Sequence, residues 1–157
     1  QAQIEAKEEH FTDLARKGWA DNPHLKLLGS PTASRLPIFS FLVTGASGAP
    51  VHQQLFTRML SDIYGIQARG GCACAGPYAH RLLEIDQDAS DELFADLKAG
   101  KEMRKPGWVR LNFSYLMSDE TAQYIIDSVN ELSLNAEEMA EQYSVDQSTA
   151  RFKALVA

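Results

Sequence analysis

Apolar positions fall into blocks of different period along the chain. Ile4, Phe11, Leu14 and Ala15 recur among charged residues over 1–17, the spacing of an amphipathic helix. Gly18 reads as its stop, and Asp21-Asn22-Pro23 as the break that follows. Leu25 to Leu28 predicts a short strand and Gly29-Ser30-Pro31 a turn. Pro37 to Val43 is rich in β-formers and bounded by turn residues, the strongest strand of the first half. After a loop over 44–50, the residues Leu55, Phe56, Met59, Leu60, Ile63 and Tyr64 make one helix face, closed by Gly65. Ile66 to Arg69 suits another strand, 70–77 a glycine-rich loop, 78–83 a helical turn or short helix, and 89–99 a charged helix.

From Trp108 to Tyr115 the pattern alternates. Val109, Leu111, Phe113 and Tyr115 share one face, and Trp108, Arg110, Asn112 and Ser114 the other. Ser118 is a good N-cap, with Asp119 and Glu120 in the first turn behind it. Ala122, Ile125, Ile126, Val129 and Leu132 then repeat at helical spacing. Asn135 and Glu138 resemble a second capping box, at which the helix would restart, and the last dozen residues read as weakly amphipathic and prone to fray.

Half-polar strands alternating with helices predict an α/β chain of the α+β two-layer kind: a small, mainly antiparallel sheet with helices packed on one face. The other face must then meet solvent, a partner or a missing part of the same protein. At 157 residues the chain is long enough for one domain with a real core. The expected division is an N-terminal helix and linker over 1–24, a sheet–helix core over 25–133, and a helical tail over 134–157. The chain opens on Gln1 rather than Met, as a piece of something longer would.

Composition narrows the function classes. Hydrophobic residues make up 45% and charged residues 23%, ordinary for a globular fold, and no apolar run suits a membrane span. A net charge of −6 disfavours nucleic acid, which needs a basic field. The densest basic stretch, Lys98 to Lys105, follows a run of acids from Glu84 to Asp96, the order a solvated helix favours. Cys72 and Cys74 are too close for a relaxed disulfide on an extended strand, and four-ligand zinc spacings are absent, so a reducing, cytoplasmic setting is the default.

The loop from Arg69 to Pro77 holds Gly70, Gly71 and Gly76 together with both cysteines. Glycines allow a ligand to approach the backbone, and a thiol beside an arginine and free N–H groups can become a nucleophile. The same residues would equally pack a tight turn with inert thiols, and a Cys-x-Cys metal pair is a third option, with His80 the only histidine nearby in sequence. Arg110 lies mid-strand between Val109 and Leu111. A guanidinium there could grip a carboxylate through two parallel hydrogen bonds, or simply point to water. His52 and His80 suit loop or helix-start positions, His10 and His24 the surface, and Trp19 and Trp108 packing.

These residues carry a resemblance. Arg69-x-Gly71-x-x-Cys74-Ala75-x-Pro77 is similar to the active-site loop of the cysteine desulfurases within the class V aminotransferases. Trp108-Val109-Arg110-Leu111-Asn112-Phe113-Ser114 resembles the family's strand bearing the substrate-carboxylate arginine. The resemblance spans residues 20 to 133, including the strand, the loop with His52, the helix and Gly65-Ile66 between Arg35 and Arg69. The two positions before Cys74, usually histidines in desulfurases, are Cys72 and Ala73 here, and 76–80 also differs, as in a less characterised branch of the class.

The resemblance implies the small C-terminal domain of a fold-type I enzyme that uses pyridoxal phosphate, a sheet with helices outside and an inner side that helps close the active site. It implies Cys74 as the sulfur-attacking nucleophile, Arg110 on the substrate's α-carboxylate and Arg69 shaping the same pocket. Gly70, Gly71, Cys72, Gly76 and Pro77 would form the loop that closes over an amino-acid substrate. None of the lysines (Lys7, Lys17, Lys26, Lys98, Lys101, Lys105 and Lys153) stands in a Schiff-base setting. The chain alone is therefore expected to bind no cofactor and to be inactive. Its expected partners are the missing large cofactor-binding domain and, in the parent enzyme, a second copy. Other readings are an independent thiol carrier using Cys72 and Cys74, and a structural or interaction domain.

Overall fold

A computed structural model describes residues 1–71 and 76–155. The elements run α1 (Ala2–Trp19), β1 (Leu25–Leu27), β2 (Ile38–Thr44), β3 (Pro50–Val51), α2 (Gln53–Tyr64), β4 (Arg69–Gly71), α3 (Gly76–Leu82), α4 (Gln87–Lys98), β5 (Trp108–Asn112), α5 (Asp119–Ala140), β6 (Tyr143–Asp146) and β7 (Arg151–Ala154). A short 3₁₀ turn, Glu102–Arg104, leads into β5. The main sheet has the order β1-β2-β5-β4, with β3 added to β2, and its recorded pairs are antiparallel. The mixed α/β architecture and the mainly antiparallel sheet expected from the pattern are both present.

Strand alternation decides the two faces. Phe39, Phe41 and Val43 of β2 and Val109 and Leu111 of β5 point to one side, where they meet α1, α2 and α5. Trp19 sits at the centre of this core, edge-on to Phe39 with ring centroids 5.2 Å apart, its indole N–H donating to the Ile126 carbonyl at 3.3 Å. On the opposite side a second, smaller cluster joins Trp108, Leu28 and Ala79 of α3. Much of this opposite face therefore stays open around Ser40 and Arg110.

Local chemistry explains most element ends. Gly65 closes α2 at φ 67°, and the Ile66 N–H reaches back to the Leu60 carbonyl. Ser118 caps α5 by accepting from the Thr121 N–H, and Asp86 caps α4 from the Ala89 N–H, which starts that helix two residues earlier than its pattern suggests. β5 ends at Asn112 rather than Tyr115. Its last pairing is with Ile38, after which the chain turns through Ser114 to Met117. β4 is likewise shifted, starting at Arg69 rather than Ile66.

Two expectations need correction. Gly18 does not stop α1, which runs to Trp19. It lets α1 pack tightly on α5, since a Cβ there would lie 2.4 Å from Ile126 Cγ2. Among the described residues, the expected helical tail over 134–157 is helical only as far as Ala140. The α5 helix continues unbroken to Ala140, with the Asn135 amide donating to the Glu131 carbonyl inside the helix instead of capping a new one. A hairpin of β6 and β7 follows, its turn organised by Asp146 accepting from the Ser148 N–H and hydroxyl. Tyr143 and Val145 alternate with exposed residues, a period-2 signal that the short run hid.

Candidate functional site

The open sheet face carries one cross-strand row, Ser40 on β2, Arg110 on β5 and Arg69 on β4. Directly opposed residues of an antiparallel pair have Cβ atoms about 4.5–5.5 Å apart and project from the same face. The two predicted arginines are thus brought together, Arg110 half-buried and Arg69 exposed. Like charges in that relation repel. Among the described residues neither guanidinium makes an ion pair.

Arg110 lines a cleft of about 360 Å³ between the open face, the 28–35 segment and α3. Trp108, Leu28, Ile38 and Leu82 form apolar walls, and Ser30, Ser40 and Tyr78 bring hydroxyl groups. That size and mixture suit a small organic molecule held by a few polar contacts. Arg35 lines the same cleft. Its Nη2 donates to the Ile38 carbonyl at 2.7 Å, and its guanidinium stands 5.0 Å from the Phe39 ring centroid. Burial first, then the nearby Arg16, lowers its pKa below the ordinary arginine value. No aspartate or glutamate is among the described residues lining the cleft.

The glycines of the predicted loop have different structural reasons. Gly70 pairs with Val109, and a Cβ on it would sit 2.8 Å from the Gln53 carbonyl oxygen, so β4 can lie against α2 only with glycine there. Gly71 pairs with Trp108 at φ 120°. The Gln54 side chain donates to the Gly70 carbonyl and ties β4 to α2. Gly76 and Pro77 open α3, whose Tyr78 and Leu82 form a wall of the cleft. Arg69 does not line the cleft itself. The predicted roles of Cys72 and Cys74 fall outside the described residues.

The histidines lie apart from this cleft. His52 caps α2 through Nδ1, which accepts from the Gln54 N–H, and stacks obliquely on Phe152 of the hairpin. Burial lowers its pKa below the usual imidazole value. His80 links α3 to α4 through Ser90 at 2.9 Å. Among the described residues no group of three or more His, Cys, Asp or Glu could hold a metal ion, and no helix is long and apolar enough to cross a membrane.

Among the described residues no lysine lines the cleft. Lys7, Lys26, Lys101 and Lys105 are paired with Asp119, Glu84, Asp96 and Glu102. The described residues therefore offer no amine to pyridoxal phosphate in this cleft, and they do not fit that cofactor as an imine-bound group. What the described lining carries is guanidinium and hydroxyl groups between apolar walls.

Arg35 and Tyr78 were not legible as site residues. Arg35 stands outside every periodic block, and only the folding of 28–35 against α3 brings both to Arg110. Comparison with protein-family models and with curated proteins gives no match.

Proposed function

We propose that this chain is the small domain of a class V aminotransferase-like enzyme that uses pyridoxal phosphate, and that Arg110 holds the α-carboxylate of its amino-acid substrate. The observation that carries the reading is the position of Arg110. It lies on β5, between β2 and β4, half-buried, opposed by a second arginine, and lining an apolar-walled cleft without an acidic residue among its described lining. The motifs around Arg69 and Arg110 add the resemblance. Pyridoxal phosphate would supply the electron sink and would be anchored by another part of the enzyme.

In this account the residues of the chain bind and orient. Arg110 fixes one end of the substrate by two parallel hydrogen bonds, which aligns its α-carbon. Trp108 and Leu82 exclude water from that end. Gly70 and Gly71 are held in β4 and Gly76 and Pro77 in α3 rather than in a closing loop, and Cys74 would serve as nucleophile if the reaction is desulfuration.

The test is kinetic, in the enzyme that contains this chain. Charge-assisted hydrogen bonds contribute about 1.5–3 kcal/mol each, so losing a bidentate pair costs ~3 kcal/mol or more. Arg110→Ala should then lower kcat/KM for the amino acid by roughly a hundredfold. Arg110→Lys should recover part of the loss. An unchanged kcat/KM in Arg110→Ala would refute the assignment. Cys74→Ser separates the chemistries, since it should stop sulfur release but spare transamination.

A further inference from the structure

We propose that Ser40 is a second substrate-binding residue, whose hydroxyl donates to the same α-carboxylate that Arg110 holds. This rests on the assignment of that carboxylate to Arg110.

Ser40 and Arg110 are register partners on the antiparallel strands β2 and β5. Direct opposition sets their Cβ atoms about 4.5–5.5 Å apart and points both side chains out of one face. The neighbours of Ser40 along β2, Phe39 and Phe41, are fully buried on the helix-covered side, so alternation places Ser40 on the open side. Both Ser40 and Arg110 line the one cleft. The Ser40 carbonyl accepts from the Leu28 N–H at 2.8 Å, so its backbone is held on that side as well as by β5.

The two side chains are also uncommitted. Among the described residues neither the Ser40 hydroxyl nor the Arg110 guanidinium makes a hydrogen bond or an ion pair. The other cleft hydroxyls differ. Ser30 Oγ accepts from the Thr32 and Ala33 N–H groups and organises its own turn, and Tyr78 stands exposed on α3. A carboxylate offers about four lone-pair positions, of which a guanidinium fork takes two. The arginine stem is long enough to lean its fork over the short serine opposite, so one carboxylate meets both. The added bond stops the carboxylate from hinging on the fork, which fixes where the α-carbon points.

L-Leucine and isopentylamine are the probes, the same apolar chain and amine with and without the carboxylate, chosen for the apolar walls at Trp108, Leu28 and Leu82. Trp108 lines the cleft and Trp19 lies in the separate core, so tryptophan emission of the full chain reports binding. The wild-type chain should bind leucine about tenfold or more tightly than the amine. Ser40→Ala removes a hydrogen bond to a charged group, and should weaken leucine about tenfold while leaving the amine within about twofold. Ser40→Thr keeps the hydroxyl and suits a strand, and should stay within about threefold of wild type for leucine. Arg110→Ala should abolish the preference for leucine. If Ser40→Ala binds leucine as wild type does, or loses both probes equally, the proposal is overturned, while the Arg110 assignment stands on its own variant. Ser40→Thr as weak as Ser40→Ala would make packing the cause and overturn it too. No preference for leucine in the wild type, absence of binding included, or a preference that survives Arg110→Ala, removes the α-carboxylate assignment and this proposal with it.

Discussion

Replacing Arg110 by methionine should stabilise the ligand-free protein while destroying its capacity to hold a carboxylate. Methionine keeps an unbranched stem and removes the charge. Arg110 faces Arg69 directly across β4 and β5, with no ion pair to either among the described residues. Taking guanidinium groups roughly 6–8 Å apart in a water-like dielectric, their repulsion is about 0.5–0.7 kcal/mol. Cross-strand like-charge penalties are of the same order. Physiological salt, with a Debye length of about 8 Å, should roughly halve it. For a chain of this size that is a rise in Tm of about 1–2 °C at low salt. Urea unfolding at low and high salt measures it, with the midpoint moving and the slope constant. A loss of about 1 kcal/mol or more, or a gain that ignores salt, would show that Arg110 has a native partner. The row would then not be strained toward an anion.

Two other substitutions test the supports of the site. Gly70→Ala places a methyl group 2.8 Å from the Gln53 carbonyl oxygen, so β4 must move off α2, and urea unfolding should show a loss of about 1–3 kcal/mol. Full stability in that variant would mean that β4 does not depend on this contact. The pKa of His52 is lowered in the folded chain by burial, so below about pH 6.5 the unfolded state takes up the proton more readily. Stability contributed by the neutral imidazole is therefore present above that pH and lost as pH falls toward the folded-state value. His52→Asn, which keeps a capping acceptor, should flatten the stability profile in that window, and an identical slope in both proteins would contradict the assignment.

The architecture was readable because its determinants are local and periodic. The alternation of β2 and β5, the apolar face of α2, the Gly65 stop and the Ser118 cap each act within a few residues. The local pattern misleads where contacts distant along the chain decide the structure. Gly18 looked like a terminator because its packing against Ile126 is invisible in sequence, and the β6–β7 hairpin was too short to establish a period beside a long helix. The site divided in the same way. The placement of Arg110 on the polar face of its strand followed from alternation. The opposition of Arg69 and the convergence of Arg35 and Tyr78 needed the pairing register and the path of 28–35.

The central claim is that the Arg110 face recognises a substrate carboxylate. The most direct measurement is a crystal structure of the enzyme containing this chain with its amino acid bound. The account predicts both α-carboxylate oxygens at about 2.7–2.9 Å from guanidinium nitrogens of Arg110. A carboxylate held by other groups, with Arg110 left in solvent, would contradict it.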